Sequence, residues 1–329
     1  AQRRQRRLDG LSLCVIGKET RRQSIAQPQS RETFGDDAGK MIDALTPDLL
    51  DVVSTPESHL ALITESCRHR VPTITQKPLA PTLADSVEIT RLASESGNLV
   101  VVHENWRFKP WFREIAQLVQ IGRIGAPVCA TFQMRPGDGR GPHAYMDRQP
   151  YFQKMPRLLM QETGIHVIDV FRKILGEIDG IYADLRKLNP AIAGEDAGYV
   201  IFDFQNGTAG LLDANRHLDH VTDDIFRTMG YVQIEGTHGA IMLDGFGKIR
   251  VREFGDSRIV EHQYSWDDVG YAGDCVYALQ KHVIDHMISG SPIENDVTNY
   301  MPNLWAVEAA YLSSEQKRRV SLKELQTSL

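Results

Sequence analysis

No stretch of this sequence approaches the roughly 20 consecutive apolar residues that a membrane-crossing helix requires. The ordered basic, apolar and small-residue regions of a signal peptide are also missing. Cysteine is scarce: Cys14, Cys67, Cys129 and Cys275 form no C-x-x-C pair and no disulfide-framework spacing. A reducing, cytoplasmic location is therefore expected. Positive charge is not in excess, since the formal net charge is −6. That balance argues against nucleic acid or an anionic membrane as a partner. The cluster Arg3, Arg4, Arg6 and Arg7 reads as a solvated helix face or a ragged terminus against the acidic remainder. There is no P-loop for phosphoryl transfer and no G-x-S-x-G elbow for a serine hydrolase. His282, Asp285 and His286 could present two ligands on one helical turn, but a third ligand and an H-E-x-x-H pattern are lacking, so no metal site is expected.

The chain does have length and apolar content, with 329 residues of which 42% are hydrophobic. One core seldom serves so long a chain, which points to two domains. From residue 49 the pattern alternates: a strand over 49–54, a helix from Pro56 to about Arg68, a strand over 71–75, a helix over 82–96 closed by Gly97, and a strand over 99–103. Thr55-Pro56 reads as an N-cap followed by proline at the first helical position. Strands joined by helices at these spacings imply a parallel sheet with right-handed crossovers.

After about residue 125 the pattern changes. Strands are predicted over 127–135, 178–187, 198–204, 207–215, 231–235, 240–243, 248–254 and 259–264, with Asn206-Gly207 as a hairpin signal. Helices near 272–288 and 301–316 close the chain. The expected architecture is an α/β domain over 1–124, then an α+β domain over 125–329 with a large, mostly antiparallel sheet.

Ligands of a parallel sheet bind beyond the carboxyl ends of its strands. Those ends read Ser54-Thr55-Pro56, Gln76-Lys77-Pro78 and Glu104-Asn105-Trp106-Arg107, which brings polar and cationic groups to one edge. A second cluster lies in a helix predicted over 158–176, where Glu162, His166 and Asp169 fall at i, i+4 and i+7 and share a face. A carboxylate at that distance can fix the tautomer of a histidine acting as general base.

These segments carry a resemblance. Asp51-Val52-Val53-Ser54-Thr55-Pro56-Glu57-Ser58-His59 resembles the second fingerprint of the glucose–fructose oxidoreductase and inositol dehydrogenase (Gfo/Idh/MocA) family. Gln76-Lys77-Pro78 is similar to its E-K-P motif. Asn105-Trp106-Arg107-Phe108-x-Pro110 and Ile121-Gly122-x-Ile124-Gly125-x-Pro127 resemble its domain junction, and Glu162-x-Gly164-x-His166-x-x-Asp169 resembles its D-x-G-x-H-x-x-D helix. The resemblance implies that 1–124 is a dinucleotide-binding Rossmann-type domain and 125–329 a substrate and oligomerisation domain, in an NAD(P)-dependent dehydrogenase or reductase acting on a hydroxyl or carbonyl of a sugar, cyclitol or related polyol. It implies that Lys77 holds the reacting oxygen, that His166 exchanges the proton, and that Glu162 orients His166 or binds substrate. Arg135, closing a predicted strand, joins that substrate set. Ser54, Thr55, Pro56, His59, Gln76, Lys77, Asn105, Trp106 and Arg107 would line the cofactor. A homodimer or homotetramer is expected from an exposed face of the second sheet. The competing reading is a ligand-sensing or regulatory protein that keeps the fold without turnover; Lys77 and His166 favour the enzyme.

Some features depart from the family pattern. The glycine fingerprint G-x-G-x-x-G is absent, and Gly137-Asp138-Gly139-Arg140-Gly141 has the wrong spacing and place. That segment reads as a flexible loop, with a cover over the substrate as the alternative. Counting back from the Thr55-Pro56 motif, 11–16 would be the family's second strand, so its first strand and glycine loop would precede Ala1; a true loss of that unit is the other reading. In this register Gly17 stands where an acidic residue would hold the ribose 2′-hydroxyl of NAD, with Lys18, Arg21 and Arg22 following. Such a charge change suits a 2′-phosphate, hence an expected preference for NADP over NAD. Gln76 for glutamate and Glu162 for aspartate are milder changes.

Overall fold

The computed structural model describes residues 13–17 and 37–326. Two compact units divide the chain: one reaches Glu104 and takes back Val283–Met301, the other holds Asn105–His282 and the chain from Pro302 onward. The division thus falls earlier than the residue-124 boundary expected above, for two reasons. Helix α4 (Pro110–Gln120) packs on helix α5 (Ile165–Leu175), within the second unit. Strand β4 (Val100–Val102), in turn, is joined by chain from far downstream: Val102 N–H donates to the Asn295 carbonyl at 2.8 Å, and Val101 bridges Asp296.

In the first unit β1 (Leu13–Gly17), β2 (Leu49–Val53), β3 (Thr73–Thr75) and β4 form one sheet in that order, every pair parallel. Strands β2 to β4 are buried over almost their whole length, as strands covered on both faces must be. The connecting helices are α1 (Ala38–Leu45), α2 (Pro56–His69) and α3 (Leu83–Ser96). Their ends follow local chemistry. Thr82 Oγ1 accepts the Asp85 N–H at 3.1 Å at the start of α3, and Gly97 closes it in the left-handed conformation at φ 67°.

The second unit is built on a nine-stranded sheet. Its members are β5 (Pro127–Met134), β6 (Ile178–Arg186), β7 (Ala197–Phe204), β8 (Ala209–Asn215), β9 (Gly230–Gly236), β10 (Gly239–Leu243), β11 (Ile249–Glu253), β12 (Val260–His262) and β13 (Val320–Ser321). The order is β12-β11-β10-β9-β5-β8-β7-β6-β13, antiparallel throughout except for the β5–β8 pair. The predicted hairpin joins β7 to β8, with Gly207 at φ 86° in the turn, a value that other residues rarely adopt. Helix α5 lies on the sheet through Phe171, whose ring meets Phe202 edge-on at 5.7 Å. Helices α6 (Cys275–Ser289) and α7 (Val297–Gln316) are close to those predicted.

The helix expected over 158–176 is not uniformly α. Residues Leu159–Gly164 form a π-helical turn before α5 begins. In such a turn hydrogen bonding reaches one residue farther back than in an α-helix. The spacing of four between Glu162 and His166 therefore does not by itself set a shared face. Glu195 caps this turn, its carbonyl accepting from Leu159 N–H at 3.1 Å and its Oε1 from Met160 N–H at 3.2 Å. Among the described residues no helix is long and apolar enough to cross a membrane.

Candidate active site

The first unit gathers its polar strand ends as the sequence suggests. Gly17, the last residue of β1, pairs with Val53, the last of β2; Arg21 and Arg22 lie outside the described residues. After β2 the chain turns at Ser54-Thr55 into α2, whose Thr55 N-cap makes no side-chain hydrogen bond and whose first position is Pro56. Ser54 Oγ and Ser58 Oγ are 2.6 Å apart. An N-terminus with its amides uncapped by a side chain, above a parallel sheet edge, has the chemistry to hold a dinucleotide's phosphates.

His59 is fully buried (0% exposed), with Nδ1 3.0 Å from the Leu79 carbonyl and Nε2 3.3 Å from the Ser54 carbonyl. Burial lowers its pKa below the usual imidazole value, although both carbonyls favour the charged form. The ring thus links the β2–α2 turn to the loop after β3, the loop that carries Gln76 and Lys77. Gln76 N–H donates to the Val52 carbonyl at 3.1 Å; Gln76 and Lys77 are both half-buried, and the Lys77–Pro78 peptide bond is cis. After β4, Glu104 is fully buried; its carbonyl accepts from Asn295 Nδ2 at 3.0 Å and its Oε2 from the Tyr300 hydroxyl at 3.4 Å.

In the second unit Asn105 is half-buried, and Trp106, Arg107 and Phe108 form a 3-10 turn. Arg107 makes a two-pronged ion pair with Asp169, Nε to Oδ2 at 2.7 Å and Nη2 to Oδ1 at 2.6 Å. Asn303 Nδ2 adds a third donor to Asp169 at 2.8 Å. A fork-to-carboxylate pair of this kind fixes direction as well as distance. It ties the turn to α5, and the neighbouring Trp106 ring stacks on His166, with centroids 4.7 Å apart and planes within 8°. The stack sets the imidazole plane, which a proton-exchanging group requires.

Two residues here escaped the sequence reading. Lys109 is fully buried, with Nζ 3.8 Å from the centre of the Trp106 ring and 3.0 Å from the Arg227 carbonyl. Tyr271 hydrogen-bonds the Trp106 side chain, and burial pushes its phenol well above the usual range. Lys109 occupies the unspecified position of the Phe108-x-Pro110 motif, and nothing in its neighbours announces burial.

Glu162 Oε2 accepts from Thr163 Oγ1 at 3.0 Å, and Thr163 Oγ1 in turn accepts from Arg216 Nη1 at 2.7 Å. Arg216 also pairs with both oxygens of Asp138, at 3.0 and 2.5 Å. The Gly137–Gly141 segment is therefore anchored at this pair. Asn189 Nδ2 adds bonds to the Gly139 and Gly141 carbonyls, each at 2.8 Å. Arg135 lies just past β5 and is committed to Asp213, with Nη2 2.6 Å from Oδ2 and Nη1 2.7 Å from the carbonyl. The loop histidines are likewise occupied: His217 Nε2 lies 2.9 Å from Asp196 Oδ2, and His220 Nδ1 lies 2.6 Å from the Arg135 carbonyl.

Both units resemble known proteins. The oxidoreductase family with an NAD-binding Rossmann fold, Gfo/Idh/MocA, matches residues 2–104, and the Gfo/Idh/MocA C-terminal domain matches residues 112–242. A D-apiose dehydrogenase of Rhizobium rhizogenes is 29% identical over 294 residues, covering 88% of this chain and 83% of that protein. A myo-inositol 2-dehydrogenase of Thermotoga maritima is 23% identical over 313 residues, covering 94% and 90%. A crystal structure of an oxidoreductase from Agrobacterium radiobacter in complex with NAD+, L-tartaric acid and magnesium superposes with a TM-score of 0.77 at 28% identity, over 88% of this chain and 84% of that one. The parallel-sheet unit, the large antiparallel sheet and the two matched domains together show that the chain belongs to the Gfo/Idh/MocA family of oxidoreductases.

Proposed function

We propose that this protein interconverts a hydroxyl and a carbonyl on a sugar, cyclitol or related polyol. A nicotinamide dinucleotide bound at the first unit's sheet edge would accept or supply the hydride. Gly17, Ser54, Thr55 and Pro56 would hold its dinucleotide end, and Gln76, Lys77, Asn105 and Trp106 its nicotinamide end. His59 and Arg107 act on the same ligand indirectly, His59 by fixing the Lys77 loop and Arg107 by fixing the Trp106 turn. Lys77 donates a hydrogen bond to the reacting oxygen and stabilises its negative charge as it develops. His166 takes the hydroxyl proton on oxidation and returns it on reduction, while Glu162 holds the imidazole or a neighbouring hydroxyl. Arg135 shapes the substrate side through the Asp213 pair.

The observation that carries this reading is the buried His166 ring stacked on Trp106, in a chain whose β3 is followed at once by Gln76-Lys77. A second sheet face bearing exposed Tyr182, Tyr199 and Ile201 supports a homodimer or homotetramer, and the scattered thiols support work in the cytoplasm. Gly17 followed by Lys18, Arg21 and Arg22 supports NADP over NAD. The test is to mix protein with NAD+ or NADP+ and a panel of sugars, cyclitols and polyols, and to follow absorbance of the reduced nicotinamide. Reduction with at least one neutral polyol is expected. Firm cofactor binding without reduction across a broad panel would refute the enzyme, and tighter NADH than NADPH binding would refute the cofactor preference.

A further inference from the structure

Lysine is among the residues least often buried, because its ammonium gives up hydration that the protein must replace. Lys109 is nonetheless fully buried, at 0% exposure. It stands at the N-cap of α4, the helix end where positive charge is unfavourable, so the helix gives no reason for it. Its ammonium is met by acceptors. Nζ donates to the Arg227 carbonyl at 3.0 Å and to the Phe226 carbonyl at 3.4 Å, and it lies 3.8 Å from the centre of the Trp106 ring. A methionine would fill much the same space without the desolvation cost, and buried ions replaced by apolar residues of similar volume often leave stability unchanged or improved. Stability alone does not explain the charge.

The ring beside that ammonium is the one on which His166 stacks, with centroids 4.7 Å apart and planes within 8°. Trp106 is also held at its edge by the hydrogen bond to Tyr271, whose phenol keeps its proton because burial raises its pKa. Trp106 is 2% exposed and His166 7%, so water does little to screen one charge from another here. Adding the 3.8 and 4.7 Å distances bounds the separation of ammonium and imidazole at about 8.5 Å, whichever face of the indole each occupies. A like charge so near disfavours imidazolium. The form that remains is the neutral ring, which can accept a proton.

We infer that Lys109 is a positioning residue for the redox step: its ammonium fixes the Trp106 ring on which His166 stacks and keeps the imidazole neutral, able to take the hydroxyl proton. The inference rests on the dehydrogenase reading above. Other charges on α5 and on the elements packed against it bear on the same ring. Arg107 and Asp169 offset each other as a pair, with Nη2 2.6 Å from Oδ1. On α4, Arg113 lies on the Phe108 ring at 4.3 Å, and Glu114 Oε1 is 2.6 Å from His262 Nε2. Lys173 stands two turns farther along α5, and Glu162, on the π-turn, is the charge that favours imidazolium. All of these side chains remain when Lys109 is changed, so comparing variants reads the ammonium. At an effective dielectric of about 20 and this separation, its removal should raise the titration of His166 by about 1 pH unit or slightly more.

The test measures kcat/KM for the most active polyol of the panel against pH, with the dinucleotide saturating, in wild type, Lys109→Met and Lys109→Arg. Oxidation of the polyol should quicken with pH as His166 loses its proton. In Lys109→Met the midpoint of that rise should move up by about 1 pH unit, which is about a 10-fold loss of rate below both midpoints. Lys109→Arg keeps the charge and should leave the midpoint in place. A midpoint unmoved in Lys109→Met, or moved equally in Lys109→Arg, would overturn the inference, because lost packing alone lowers the rate without shifting a titration. His166 is also read directly, from the imidazole nitrogen signals of histidine-labelled protein, assigned by their loss in His166→Asn. In wild type they should titrate below the ordinary value of about 6.5, and titration at or above it overturns the inference even if Lys109→Met does not fold. Should wild type reduce nicotinamide with none of the polyols, the dehydrogenase reading fails on its own. The nitrogen signals of wild type and Lys109→Met then still decide whether Lys109 sets the charge of His166.

Discussion

Replacing Asp169 by alanine should destabilise the second unit by about 3–5 kcal/mol, the usual cost of removing one partner of a buried ion pair. The magnitude follows from what is left behind. Arg107 is 9% exposed and Asp169 0%, so water cannot replace the carboxylate without opening the turn. Asp169 accepts from Arg107 at 2.7 and 2.6 Å and from Asn303 at 2.8 Å. Bonds to a charged group are each worth about 1.5–3 kcal/mol, and part of that is offset by the cost of burying the charge in the first place. The double replacement Arg107→Met with Asp169→Leu removes both the orphaned charge and the burial cost, so it should recover much of the loss. All four tryptophans, Trp106, Trp111, Trp266 and Trp305, belong to the second unit. Urea unfolding followed by tryptophan fluorescence therefore reports this unit selectively. A second readout is turnover: loss of the pair frees the turn that stacks Trp106 on His166, so Asp169→Asn should lower kcat more than it raises the KM for nicotinamide. A fluorescence midpoint for Asp169→Ala within about 1 kcal/mol of wild type would refute the argument, since no surface pair is worth more.

The first unit gives a pH-dependent counterpart. Asp51 sits within β2 with Oδ1 unpartnered among the described residues, and burial raises its pKa from the usual 3.8 to about 6. A carboxyl whose folded pKa is raised favours the folded state at low pH, and that advantage fades as pH climbs through about 4 to 6. Asp51→Asn should accordingly stabilise the unit by up to about 3 kcal/mol above pH 6 and by little near pH 4, as read by circular dichroism; equal effects at both pH values would contradict this. Lys77→Ala should abolish turnover while leaving dinucleotide affinity within a few-fold, and surviving turnover would remove its assigned role. His59→Ala should cost about 2–4 kcal/mol through a cavity and the loss of the one N–H that the neutral ring donates to a backbone carbonyl. It should also raise the KM for nicotinamide, whereas an unchanged KM would show that the Lys77 loop does not depend on this ring.

Much of the architecture was legible because it depends on neighbours within a turn or two. Thr82 and Gly97 bound α3, Asn206-Gly207 turns β7 into β8, an unbroken apolar run marks β4, and one interrupted only by Asp51 marks β2. Strand ends in a parallel sheet carry ligands for geometric reasons, so Ser54, Gln76 and Lys77 could be named from order alone. The division at residue 104 could not. It depends on Val101 meeting Asp296, a pairing across more than half of the chain that no local pattern encodes.

By itself, then, the sequence determined the class of each unit, the order of its elements and the residues able to carry the chemistry. Only tertiary structure decided which polar side chains are occupied. Arg107 turned to Asp169 62 positions away, His59 closed on the Leu79 carbonyl, Lys109 became a buried cation on an indole, and the Tyr145 hydroxyl stayed buried with no partner among the described residues. The physical reason is that helix caps and turns are settled by bonds to adjacent backbone, whereas the fate of a charge or a phenol is settled by what removes water from it. In this protein the groups that remove the water come from distant parts of the chain.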